Sequence, residues 1–139
     1  MNRFVLDCSV AMGWCFRDET SEYSADILRL LKASGAVVPS VWYLELVNAL
    51  IVGERRGCLL PLETAEFIAR VRKLPIDIDA IALNCKCDDI LSLARVHSLS
   101  SYDEAYLELA IRTAMPIATL DGRLATAAAS VGIKLLLKS

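Results

Sequence analysis

Arg3-Phe4-Val5-Leu6-Asp7 is the stretch that decides the fold. An apolar run broken at once by an acid is the pattern of a short strand buried on both faces, as parallel sheets require. The pattern recurs along the chain. Ala36-Val37-Val38-Pro39 reads as a second buried strand and Ile76-Asp77-Ile78 as a weaker one. Pro116-Ile117-Ala118-Thr119-Leu120 precedes another acid, Asp121, and Lys134 to Leu137 reads as a last strand. Helical periods lie between them. Glu22 to Ala33 carries apolar residues at 27, 28, 30 and 31 and ends at Gly35. Ser40 can cap a helix from about Val41 to Arg56, which Gly57 stops, and Pro61 opens one that runs to Lys73 before Pro75. Asp79 is expected to cap a helix reaching about His97, Ser101 to begin one reaching Thr113, and Gly122 to Ser130 to form another. Short strands alternating with helices predict an α/β fold whose parallel sheet is covered on both faces. In such sheets, ligand-binding groups gather beyond the carboxyl ends of the strands, near the switch point.

The 139 residues are expected to form a single domain, 1–139. With 55% hydrophobic and 23% charged residues the chain is globular, not disordered. The apolar run before Asp7 is too short for a secretory signal. Ala36 to Gly53 has Glu45 as its one charge, but Pro39, Asn48 and that central acid argue for a strand and helix, not a membrane span. The five cysteines, Cys8, Cys15, Cys58, Cys85 and Cys87, are odd in number and lack zinc or redox spacing, so they read as core or incidental residues of a cytoplasmic protein. A net charge of −2 excludes the global basicity of a non-specific nucleic-acid binder.

The acids carry the chemistry. Asp7 and Asp121 each follow a strand immediately, so both carboxylates emerge at the same edge of the sheet. Each alone also fits a bland role: a turn with the Ser9 amide for Asp7, a helix cap for Asp121. Glu45 sits among Val41, Trp42, Leu44, Leu46 and Val47, which leave little of that turn outside the core; it needs a cation, an arginine or a polar cleft. Ser101 and Glu104 have capping-box spacing, which places Asp103 in the first turn of its helix. Carboxylates gathered at one edge repel one another unless they share protons or bind a cation, and oxygen-only ligands suit Mg²⁺ or Mn²⁺.

Phe4-Val5-Leu6-Asp7-Cys8-Ser9, Pro39 with Glu45, Ser101-Tyr102-Asp103-Glu104-Ala105-Tyr106 and Thr119-Leu120-Asp121 follow one another in an order and spacing that resemble a PIN domain over nearly the whole chain. Trp14, Asp18 and Glu19 add a likeness to VapC-type toxins of bacterial toxin–antitoxin pairs. The resemblance implies a three-layer α/β/α sandwich and a Mg²⁺- or Mn²⁺-dependent endoribonuclease. Asp7, Glu45, Asp103 and Asp121 would be its catalytic, metal-holding acids, with Ser9 and Thr119 as supporting hydroxyls. Cys8 stands where the family often has a small residue or threonine. The resemblance further implies an RNA substrate, a homodimer and a small VapB-like antitoxin whose basic side chain opposes the acids. Trp14, Trp42 and Tyr43 offer either a docking surface or core packing.

Other readings remain. One histidine, His97, cannot make the two-histidine acid–base pair of a metal-free ribonuclease, and its place at a helix end is ordinary. A phosphatase of similar fold usually carries a second aspartate two residues after the first, and here position 9 is Ser9. A housekeeping nuclease or a non-catalytic binding module on the same fold are the alternatives. Arg17, Arg55 and Arg56 suit either RNA contact or a solvated face.

Overall fold

The computed structural model describes residues 2–137. Four parallel strands form one sheet in the order β3-β2-β1-β4: β1 is Phe4–Leu6, β2 Ala36–Val38, β3 Ile76–Ile78 and β4 Ile117–Ala118. The chain thus leaves β1 in one direction for β2 and β3, then returns across the sheet to β4. The switch point lies between β1 and β4, where Val5 pairs with Ile117 and Leu6 with Ala118. Phe4, Val5, Leu6, Ala36, Val38, Ile117 and Ala118 are all buried, as unbroken apolar runs require.

Seven helices cover the sheet among the described residues: α1 Cys8–Met12, α2 Glu22–Ser34, α3 Trp42–Arg55, α4 Pro61–Val71, α5 Cys87–His97, α6 Ser101–Thr113 and α7 Gly122–Ser130. α1 packs on α2 and α3, whereas α6 packs on α5, α7 and β1. Right-handed crossovers put these two groups on opposite faces, because the direction of travel reverses after β3. The result is a PIN-like three-layer α/β/α sandwich, the expected fold class. Gly35 ends α2 with φ of 80°, a conformation costly for any side chain, and so turns the chain directly into β2.

Several local expectations change. α1 was not expected: a five-residue apolar helix directly after a strand carries no readable period. Asp79 does not cap a helix. Its carboxylate is taken by Lys86 Nζ at 2.7 Å and Arg112 at 2.6 Å, a single helical turn occupies Leu83–Cys85, and α5 begins only at Cys87. Lys86 is itself buried and lies 3.9 Å from Glu108, so this ionic cluster ties the end of β3 to α6. Pro116–Leu120 contracts to the two residues of β4. The expected last strand is a single bridge, Ile117 to Leu135, because Leu137 turns to a φ of 60°. Trp42 is fully buried, so the core takes it, whereas Trp14 and Tyr43 pack against the core and stay partly exposed.

Candidate active site

Asp7 sits at the carboxyl end of β1 with its amide bound to the Ala118 carbonyl at 2.9 Å, so β4 itself positions the residue. Its buried carboxylate accepts two hydrogen bonds at the same oxygen. Ser9 Oγ and Thr119 Oγ1 each donate to Oδ2 at 2.6 Å. Each hydroxyl accepts in turn: Leu120 N–H of the other loop donates to Ser9 Oγ at 3.0 Å, and Asp121 N–H of its own loop donates to Thr119 Oγ1 at 2.9 Å. The two strand ends flanking the switch point are thereby stitched together through one carboxylate. Neither hydroxyl meets Oδ1. Burial pushes the Asp7 carboxyl up from the ordinary carboxylate range; the two hydroxyls oppose this, and the charges of Asp103 and Asp121 add to it.

Glu45 lies in the first turn of α3 and accepts from Tyr106 Oη at 2.7 Å. Its carboxyl is raised by burial first, with Asp7 and Asp103 contributing, while the Tyr106 hydroxyl pulls it back. The arginine partner considered for it does not occur; a tyrosine takes that place. Nor is its helix turn wrapped in core. α3 buries Trp42, Leu46 and Leu50, whereas Leu44 and Val47 are 73% and 50% exposed on another face. Burial of Tyr106 and the acids Asp7 and Glu45 around it push the Tyr106 hydroxyl well above the phenolic range, so it remains a donor.

Asp103 and Tyr106 are one helical turn apart on α6, which puts both on the side facing the other acids. The cap of α6 is Ser100, whose hydroxyl accepts from Asp103 N–H at 3.2 Å; the Ser101–Glu104 capping box does not form. Shifting the cap by one residue turns Glu104 inward, where it is fully buried against His97 Nδ1 at 3.2 Å. Asp103 is raised by burial and then by Asp121, and lowered by Ser100. Asp121 does cap α7, its Oδ1 accepting from Arg123 N–H at 2.9 Å, and it reaches Asp7 and Asp103 electrostatically as well. The cap therefore does not remove Asp121 from the vicinity of the other acids.

Asp7, Glu45, Asp103 and Asp121 therefore share one neighbourhood: Asp103 and Asp121 raise Asp7, Asp7 and Asp103 raise Glu45, and Asp121 raises Asp103. The donor chemistry fits a hard divalent ion: carboxylate oxygens only, mutually repelling, with one of them locked in orientation. Among the described residues, no group of three or more His, Cys, Asp or Glu side chains is already drawn together at ligating positions. Cys8, buried beside these charges, has its thiol pushed up by burial first and by Glu45 and Asp7, so it is not a ready thiolate. The reading of the sequence missed Tyr106 as the partner of Glu45 and Glu104 as the partner of His97. The three-residue step from Asp103 to Tyr106 was the available signal for the first.

The fold is similar to that of PAE2754 from Pyrobaculum aerophilum, with a TM-score of 0.70 and 16% identity over 91% of this chain and 87% of that one. It is also similar to FitAcB from Neisseria gonorrhoeae, with a TM-score of 0.65 and 17% identity over 97% of this chain and 96% of that one. At such identities the likeness is one of fold. No protein-family profile matches the sequence, and no curated protein matches it. Among the described residues, no helix is long and apolar enough to cross a membrane.

Proposed function

We propose that this protein is a Mg²⁺- or Mn²⁺-dependent endoribonuclease of the VapC type, the toxin of a toxin–antitoxin pair. The observation that carries the reading is the doubly bonded Asp7 carboxylate at the switch point, with Glu45, Asp103 and Asp121 coupled to it. Asp7, Asp103 and Asp121 would hold the ion, and Glu45 would hold a second ion or orient water. When bound, a divalent ion supplies Lewis-acid polarisation of a phosphodiester and a more acidic water. The chain's own contribution is orientation. Ser9 and Thr119 fix Asp7 through Oδ2 and leave Oδ1 outside both of those bonds. Tyr106 fixes Glu45 through Oε1. No histidine, lysine or thiolate among the described site residues competes for the role of general base. The fold likeness and the resemblance of the motifs to VapC-type toxins support the same reading.

A toxin of this kind needs a partner, and the exposed apolar residues Leu44, Val47 and Ile51 on α3 supply a face suited to a homodimer or an antitoxin segment. The test is cleavage of labelled RNA oligonucleotides with Mg²⁺ or Mn²⁺ against EDTA, in wild type and Asp7→Asn. Metal-dependent cleavage lost in the variant is expected; absence of cleavage in both ends the nuclease reading. Growth arrest on expression, relieved by Asp7→Asn or by the neighbouring gene product, separates a toxin from a housekeeping nuclease.

A further inference from the structure

A groove of about 810 Å³ opens beside the acids, between the end of α5 and α7, bordered by His97, Ser98, Asp121, Gly122, Arg123 and Ser130. It meets the acid set at Asp121. Three properties of its lining suit a polyanionic strand. Arg123 is exposed on the first turn of α7, and its guanidinium enters no ion pair among the described residues. Beside it Gly122 faces open space, since a Cβ built there meets no atom within 4 Å, so a bulky backbone can approach closely. On the facing wall His97 is held at Nδ1 by the fully buried Glu104, which fixes its ring and leaves Nε2 as its other polar atom. Arg123 stands two residues from the site acid Asp121, within the path of a phosphate backbone that passes the acids.

We propose that this groove binds single-stranded RNA flanking the scissile bond, with Arg123 taking a backbone phosphate. The proposal rests on the nuclease reading for the identity of the strand. Single strands suit it because an open groove with one cation and a fixed aromatic ring tracks a flexible backbone.

The experiment is fluorescence anisotropy of a labelled single-stranded RNA of about ten nucleotides, within the range of single-strand binding sites. It is run at graded KCl with Ca²⁺ present to satisfy the acids. Loss of one phosphate contact lowers the slope of log K against log salt by about 0.7 for a single strand. Arg123→Ala is expected to lose that increment and Arg123→Glu to bind more weakly still, while Arg29→Ala, an exposed arginine paired with Asp26, keeps the wild-type slope. A wild-type slope in Arg123→Ala, or no RNA binding by the wild type, overturns the groove. Mg²⁺-dependent cleavage of the same RNA is scored separately. Cleavage with an unchanged Arg123→Ala slope sinks the groove alone; Arg123-dependent binding without cleavage sinks the nuclease reading and leaves the groove standing.

Discussion

The Thr119 hydroxyl donates to Asp7 Oδ2 at 2.6 Å, joining residues 112 positions apart in the chain. Thr119 simultaneously accepts from the Asp121 amide, so one side chain ties the end of β1 to the turn that carries a second acid. Its burial leaves no water to take over either bond.

Thr119→Val keeps the shape and removes both bonds. The Asp121 N–H then has no partner and Asp7 Oδ2 keeps Ser9 alone, and an unmade bond of this kind costs about 1–3 kcal/mol. Urea denaturation should show a loss in that range, with RNA cleavage weakened in the folded protein. An unchanged midpoint and unchanged cleavage together would mean the stitch between the two loops is dispensable.

The acids Asp7, Glu45 and Asp103 all stand above the ordinary carboxylate range in the fold, chiefly through burial. Such a group costs stability as it ionises: the loss begins above its unfolded pKa and is complete once pH passes the raised folded value. Asp7→Asn should therefore gain on the metal-free wild type as pH rises from the acid side to neutrality. Millimolar Mg²⁺ or Mn²⁺ should raise the wild-type Tm near neutral pH and raise the variant's less. A Tm indifferent to metal by calorimetry would count against the site.

Tyr106→Phe removes the hydroxyl that holds the Glu45 carboxyl down, with no change in core volume. The Glu45 pKa should rise further, and the acid limb of the cleavage pH profile should move to higher pH. A superimposable profile would show that Glu45 does not titrate in the rate.

Asp121→Asn separates a cap from a charge. Asparagine caps a helix about as well as aspartate, so α7 should stay in place while cleavage is abolished. Asp103→Asn should act likewise. Glu104→Gln should instead reduce stability, through the buried contact with His97, and spare most activity of the folded protein. Should Glu104 prove essential and Asp103 dispensable, the roles of these neighbours are exchanged.

Lys86→Met tests the ionic cluster. Lys86 and Asp79 are 3% and 6% exposed at a separation of 2.7 Å, and burial raises the Asp79 carboxyl less than Lys86 and Arg112 lower it. Removing one partner of a buried pair costs about 3–5 kcal/mol when the other charge is left alone. Because Arg112 still pairs with Asp79, the loss should fall below that range but above about 1 kcal/mol. Arg3→Ala, which loses only an exposed pair with Asp77, should cost under about 1 kcal/mol. Equal losses by thermal denaturation would refute the distinction.

The sequence by itself determined the buried strands β1 and β2, because a fully buried strand such as Phe4–Leu6 or Ala36–Val38 must be apolar throughout. The run at 134–137, by contrast, read as a strand and forms a single bridge. It also determined where acids leave the sheet, since Asp7 and Asp121 follow strands directly in the chain. Cap positions were legible only to within a residue. Ser100 and Ser101 are chemically equivalent caps, and the inward turn of Glu104 toward His97 accompanies the choice of Ser100. Asp79 looked like a cap for the same reason, until Lys86 and Arg112, distant in sequence, took its carboxylate. The partners of the acids belonged to the tertiary structure alone. Tyr106 meets Glu45 across 61 residues and Thr119 meets Asp7 across 112, and no local pattern encodes a contact made only when the sheet order β2-β1-β4 brings three strand ends side by side.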